Sequence, residues 1–254
     1  MTGLLLTDAL CERVRAARRV LVLTGSGVSA ESGVPTFRDA QTGLWARYRP
    51  EALATPEAFA RDPGLVWRWY QWRRQLVTRA EPNSAHRALV RWQALRPELV
   101  VVTQNVDGLH RRAGTRNLVE LHGALDRYKC SRDQQPLDLA ALQDSHVPPA
   151  CPRCGAAVRP DVVWFGEILP QAELAAAHSA VQRCDLMLVV GTSGQVYPAA
   201  ELPAMALDRG IPVVEVNPAE TPLARSATHW LRADAGTALP ALVGCLADPG
   251  GPPG

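Results

Sequence analysis

Lysine is almost missing from this chain. Lys129 is the only one, and every other basic residue is arginine, which speaks of coding bias before function. An excess of one charge is missing too: 27 Lys+Arg stand against 25 Asp+Glu, a formal +2. So balanced a chain offers no broad field to nucleic acid or to an anionic membrane, and neither is expected as a partner. No apolar run approaches the roughly 18 residues of a spanning helix. The opening MTGLLLTDALCERVRAARR has no basic start, no long apolar region and no small-residue cleavage site, so a cytoplasmic protein is expected. The regular cysteine spacing of a secreted disulfide framework is also lacking. Cys151 and Cys154 form a C-x-x-C, whereas Cys11, Cys184 and Cys245 stand alone in apolar stretches. That pattern predicts a metal site plus buried thiols.

What is present is enough apolar material for a core: 47% hydrophobic residues against 20% charged. The 254 residues suit one large α/β domain, or one domain with an inserted module. Short β-branched runs at 20–24, 99–103, 118–121, 186–191 and 212–217, with a weaker one at 228–232, predict strands buried on both faces. Helical patterns at 8–19, 84–96, 171–183, 199–209 and 237–246 lie between several of them. The alternation predicts a Rossmann-like, doubly wound parallel sheet. Segments 43–81 and 126–160 break it. The first is dense in Trp, Arg and Pro; the second is Pro-rich and holds Cys130, Cys151 and Cys154. They are expected to pack together as a small inserted domain, part helical and part zinc ribbon. The main domain then comprises 1–42, 82–125 and 161–247, and 248–254 forms a disordered tail.

The run 20–24 leads into Gly25-Ser26-Gly27-Val28-Ser29-Ala30, a G-x-G-x-x-A between a strand and an expected helix. Glycines there allow a tight turn, and helix N-terminal amides can face a pyrophosphate. The acidic residue that should follow about 20 residues later is missing, because TFRDAQTGLW is no strand. A substitute stands far downstream, where 212–217 ends in Glu215-Val216-Asn217.

GSGVSAESGVPTFRD, TQNVDGLH, ELHG, VVWFGE, VGTSGQVYPAA and VVEVN occur in one order along the chain. Together they resemble the sirtuins, NAD-dependent protein-lysine deacylases, over about residues 20–241. Ser26 stands where the family usually has Ala. The resemblance implies a pyrophosphate turn and mobile cofactor loop over 25–45, using Gly25, Ser26, Gly27, Ala30, Thr36, Phe37, Arg38 and Trp45. It puts Gln104, Asn105 and Asp107 around the nicotinamide ribose. Gly191, Thr192, Ser193 and Asn217 would hold the adenosine half, with Ala235 near the adenine. In the implied reaction nicotinamide leaves the ribose and the acyl-lysine oxygen captures the exposed carbon. His122 then takes a proton from a ribose hydroxyl, and the products are deacylated lysine and O-acyl-ADP-ribose. An ordinary imidazole pKa suits that base. The other five histidines are taken as structural.

The resemblance also implies that 163–167 and 194–197, with Val163, Phe165, Gly166 and Val196, sandwich an acyl-lysine peptide by backbone hydrogen bonds. Along 65–78, Leu65, Trp69, Trp72 and Leu76 share one helical stripe and are assigned to packing. Tyr70 and Arg73 share a neighbouring face, where phenol and guanidinium can hold a carboxylate. This Y-x-x-R, with the small Ala54 upstream, resembles the sirtuins that remove succinyl, malonyl and glutaryl groups.

Sirtuins hold a structural zinc with two C-x-x-C pairs. Here Cys151 and Cys154 are paired with Cys130 and, at the fourth position, Asp133; His146 is another candidate. Two other activities stay open at this point. One is mono-ADP-ribosyl transfer or NAD glycohydrolysis; the other is a non-catalytic NAD sensor. A dehydrogenase is disfavoured by the missing second strand. The oligomeric state is not legible.

Overall fold

The computed structural model describes residues 6–35, 49–138 and 146–246. Thr36, Phe37, Arg38 and Trp45 of the expected cofactor loop, and the expected tail 248–254, lie outside the described residues. Helix α1 (Asp8–Ala16) is capped by Thr7, whose hydroxyl accepts the Leu10 N–H. Strand β1 (Val20–Thr24) follows. The helix expected after the glycine turn is a 3-10 segment, Ser26–Ser32. Helices α2 (Pro50–Leu53), α3 (Pro56–Arg61) and α4 (Pro63–Arg79) all open on proline, which needs no N–H partner there. Asn83 caps α5 (Ser84–Leu95). Then come β2 (Val100–Thr103), α6 (Leu109–Ala113), β3 (Leu118–Glu120), β4 (Gly123–Cys130), β5 (Pro136–Leu137) and β6 (Val158–Val162). The chain closes with α7 (Gln171–Arg183), β7 (Leu186–Val190), α8 (Glu201–Asp208), β8 (Val213–Val216), β9 (His229–Leu231) and α9 (Ala235–Gly244).

The main sheet has the order β3-β2-β1-β7-β8-β9, and every pairing is parallel. Side chains alternate between its faces, as strand geometry requires. Val20, Val22, Leu188 and Val214 meet α1, α5 and α9 through Val14, Leu89, Trp92 and Leu239. Leu21, Leu23, Met187 and Val189 meet α7 and α8 through Val181 and Leu202. Both faces being covered is why these strands read as unbroken apolar runs. The chain winds outward from β1 through β2 to β3, then crosses to β7 and winds the other way. The β1/β7 boundary is therefore a topological switch point, where open α/β sheets form a crevice beyond their strand ends.

A second, antiparallel sheet has the order β5-β4-β6 and carries the cysteine cluster. Trp67 of α4 packs on Tyr128 of β4, ring centroids 5.4 Å apart, beside Val158 of β6. That contact corrects the stripe assigned to α4. Its buried residues are Val66, Trp67, Trp69, Tyr70 and Val77, while Leu65, Trp72 and Leu76 are only half-buried. The helix is gripped from two sides, by the ribbon and by the core around Phe59 and Trp164, so its apolar face is broader than one stripe.

A second correction concerns the isolated cysteines. Cys11 and Cys245 form a disulfide joining α1 to the end of α9, across a sequence separation of 234. No local spacing signals such a pair. Cys184 is a free, buried thiol, its pKa pushed up to about 11 by burial and by Asp185. Among the described residues, no helix is long and apolar enough to cross a membrane.

Candidate active site

The turns after β1 and β7 touch at the switch point. The Gly25 N–H donates to the Val190 carbonyl at 3.0 Å, and the Gly27 N–H to the Gly191 carbonyl at 2.8 Å. A Cβ on Gly27 would sit 2.7 Å from the Gly191 Cα; one on Gly191, whose φ is +60°, would sit 2.5 Å from the Val28 nitrogen. Glycine at these positions serves the close approach of two backbones, and the Gly25 and Gly27 N–H groups are committed to protein carbonyls. The result is a crevice whose floor, at Gly25, Gly27 and Gly191, is bare backbone, which fits the close approach of a bulky dinucleotide. Ser26 and Ala30 lie on the 3-10 segment at its rim.

Gln104 leaves the end of β2, its N–H bonded to the Thr24 carbonyl and its side-chain amide donating to the Thr192 hydroxyl at 3.1 Å. Asn217, at the end of β8, donates its side-chain amide to the Thr192 carbonyl at 2.9 Å. Ser193 follows Thr192 directly, and Ala235 opens α9. Glu215, the acidic residue expected to replace the ribose ligand, does not reach this rim. It is 1% exposed on the α8 side of β8, where it accepts the Thr221 hydroxyl.

Ser29 is the residue that sequence reading missed. Its hydroxyl donates to the Asp107 carboxylate at 2.7 Å and accepts from the Asn105 amide at 3.2 Å, locking both side chains. Asp107 also accepts the Leu109 N–H at 2.8 Å. Burial nevertheless keeps the Asp107 pKa above the usual carboxylate value, against those two hydrogen bonds and the nearby Arg73 and Arg112. Beneath them, Thr24 bonds both Thr103 and His110, and the His110 ring lies 4.7 Å from the His86 ring. Burial pulls His110 down to about 3, helped by His86, and His86 to about 4, helped by Arg87, so both are neutral packing elements.

His122 sits between β3 and β4. Its Nδ1 lies 2.9 Å from the Gln104 carbonyl oxygen, an acceptor only, so Nδ1 carries the proton and Nε2 keeps its lone pair. Burial sets the imidazole pKa below its ordinary value, and the Gln104 contact offsets this in part. The next residue must be glycine: Gly123 has φ +78°, and a Cβ there would collide with the Asp161 carbonyl.

The expected peptide segments are not strands here. Residues 163–167 turn instead, because the Glu167 carboxylate reaches back to accept the Trp164 N–H at 2.8 Å. Arg159, 3% exposed, donates to both Glu167 oxygens and stacks 3.2 Å from the Trp164 ring centroid. Removing Glu167 would leave the buried Arg159 guanidinium without its carboxylate partner, which is destabilising. The Val163 N–H donates to the His122 carbonyl, and the Phe165 N–H to that of the buried Ala54. Gly166 lies on a turn and Val196 at a bend, and 194–197 has no strand pairing.

Tyr70 is buried and stacks near Trp164, centroids 6.3 Å apart; burial raises its phenol pKa. The Arg73 guanidinium lies 5.3 Å from the Trp69 ring centroid, and burial, opposed by Tyr70 and Asp107, lowers its pKa. Tyr70 and Asp107 both act electrostatically on the Arg73 guanidinium, Tyr70 the more strongly.

Cys130, Cys151 and Cys154 converge, their three sulfurs all within 4.8 Å of one another and the Cys130–Cys154 pair at 3.5 Å. Zn–S bonds of about 2.3 Å in a tetrahedron separate sulfurs by about 3.8 Å, so the cluster fits a zinc ion. Asp133 stands beside Cys130, its carboxylate held by the Gln135 N–H at 3.0 Å and by Arg153 at 3.2 Å.

The switch-point crevice, the facing glycine turns and the imidazole with a fixed proton define an enzyme of the doubly wound, dinucleotide-using class. Comparison with known proteins narrows this. The profile of the Sir2 family matches residues 25–198. An NAD-dependent protein deacylase of Methylococcus capsulatus is 51% identical, over 94% of this chain and 97% of its own. NAD-dependent protein deacylase 1 of Pseudomonas aeruginosa is 50% identical, over 92% and 97%. A solved Sir2 homologue in complex with NAD superimposes with TM-score 0.89 at 44% identity, covering 97% and 96%. A Sir2 structure with a p53 peptide and NAD+ gives 0.83 at 31% identity, covering 94% and 98%. This chain belongs to the Sir2 family.

Proposed function

We propose that the chain removes acyl groups from protein lysine side chains at the expense of NAD, with a preference for succinyl and malonyl over acetyl. The observation that carries this reading is the His122 imidazole, neutral and with Nδ1 committed to Gln104 beside the switch-point crevice. Support comes from relatives named NAD-dependent protein deacylases, and from a related structure bound to 2'-O-acetyl ADP ribose.

NAD supplies a glycosidic bond whose cleavage exposes an electrophilic sugar carbon. The chain's own groups do the rest. Gly25, Ser26, Gly27, Ala30, Gln104, Gly191, Thr192, Ser193, Asn217 and Ala235 line the place for the dinucleotide, with Thr36, Phe37, Arg38 and Trp45 assigned from the sequence. Asn105 and Asp107, pinned by Ser29, orient nicotinamide and water. His122 Nε2 takes a hydroxyl proton as general base. Val163, Phe165, Gly166 and Val196 offer backbone to an extended peptide, their segments straightening as it binds.

Tyr70, Arg73 and Ala54 form the acyl end of the site, where a guanidinium matches a terminal carboxylate. Cys130, Cys151 and Cys154 would hold a structural zinc that would lend cohesion to the ribbon; Asp133, the fourth ligand assigned from the sequence, stands beside this three-sulfur cluster rather than within it and would have to leave Arg153 to join it. The helical and ribbon segments 43–81 and 126–160 act as one small domain over the cofactor domain, with the substrate between them.

ADP-ribosyl transfer would use the same crevice but has no use for a carboxylate clamp, so the Tyr70/Arg73 pair favours deacylation. The test is incubation with NAD and matched acetyl-, succinyl- and malonyl-lysine peptides, followed by mass spectrometry. O-acyl-ADP-ribose is expected from the wild type and not from His122→Ala. ADP-ribosylated peptide in its place would select the other reading.

A further inference from the structure

A cavity of about 190 Å³ opens between α8 and residues 221–226, on the opposite face of β8 from Val214 and Val216. A void of about 150 Å³ already holds a benzene-sized molecule. Leu23, Val189, Pro203, Leu207 and Leu223 make most of its wall apolar, while Gln104 and Thr192, placed above at the dinucleotide crevice, line it where the two adjoin. Ala204 and Tyr197, both exposed, mark the mouth, and residues 194–197 lie along one side. Glu215 lines the inner end at 1% exposure. Its Oε1 accepts the Thr221 hydroxyl at 2.5 Å, whereas Oε2 has no hydrogen-bond partner among the described residues.

An uncompensated buried carboxylate is costly, and a cation in contact recovers that cost. The apolar walls suit a methylene stem behind the cationic head. With Oε1 already engaged, one acceptor remains open. A compact ammonium with three rotatable donors can meet a single carboxylate oxygen and turn its other N–H groups to nearby hydroxyls, while a guanidinium fork matches two carboxylate oxygens at once. The side of the cavity formed by 194–197 is the segment proposed above to hold substrate backbone.

We propose that this cavity receives the side chain of an unacylated lysine of the substrate protein, close in sequence to the acyl-lysine. Its ammonium meets Glu215 Oε2 and its stem lies along Leu23, Val189 and Leu223. The inference rests on the deacylase reading and names the substrates that reading favours: acylated sites in lysine-rich stretches.

The test uses matched acyl-lysine peptides carrying lysine, arginine or norleucine at each neighbouring position in turn. With the wild type, lysine at one position is expected to lower KM about tenfold relative to norleucine, with kcat unchanged. Glu215→Gln abolishes the difference, and so does Ala204→Phe, which narrows the mouth without touching the Glu215–Thr221 pair. n-Butylammonium, titrated by NMR, binds the wild type saturably and Glu215→Gln not at all. Equal KM for lysine and norleucine at every position would overturn the proposal, as would a lysine preference that survives both variants. Peptides that all remain acylated would instead count against the deacylase reading, and the n-butylammonium titration would still decide the cavity.

Discussion

The Nδ1 atom of His122 lies 2.9 Å from the carbonyl oxygen of Gln104, so one backbone acceptor fixes both the tautomer and the direction of the ring. Gln104 also ties to Thr192 through its side chain. A residue of β2's end thereby couples the base to the turn after β7.

This coupling has a pH signature. Burial depresses the His122 pKa below 6.5, so the neutral, active form persists as pH falls through 6.5 and is lost only lower. The acid limb of kcat/KM for peptide should lie below pH 6.5, and His122→Ala should lower kcat about a hundred- to ten-thousand-fold. A limb at or above 6.5 would contradict the burial argument.

The acyl end should respond to charge. Arg73→Met is expected to reduce kcat/KM for a succinyl-lysine peptide about ten- to a hundredfold, the worth of a hydrogen bond to a charged group. Deacetylation should fall far less. Steady-state kinetics on the matched peptides measure the split, and equal losses would count against the clamp.

The three-thiol cluster should hold metal. Elemental analysis of purified protein is expected to give about one zinc per chain, and Cys151→Ser should lose it together with thermal stability. Asp133→Ala should weaken zinc retention, read by competition with a chelator. A fully folded, metal-free wild type would exclude the site.

The Cys11–Cys245 link closes most of the chain into one loop. Urea unfolding with and without reductant should differ by about 2–4 kcal/mol, and Cys11→Ser should match the reduced protein. Identical curves, with both thiols alkylated in the untreated protein, would show that the link does not form.

The parallel strands were legible because both sheet faces are covered, so each wrote itself as a β-branched run. The fold class followed from their alternation with helices. Features made by distant residues were not legible. Ser29 meets Asn105 and Asp107 only because the β1 and β2 ends stand side by side. Cys11 and Cys245 carry no shared spacing. Residues 163–167 read as extended, yet Glu167 folds them back on Trp164, a contact no propensity encodes. Glu215 looked like a ribose ligand by position in its strand, but strand alternation turns its side chain to the opposite layer from Val214 and Val216.

The most direct test is stoichiometric: nicotinamide released and acyl groups removed, measured together on one succinyl-lysine peptide, with and without NAD. The account predicts equal amounts of both when NAD is present and no acyl loss when it is left out. Acyl removal without NAD, or nicotinamide release that is indifferent to the peptide, would contradict it.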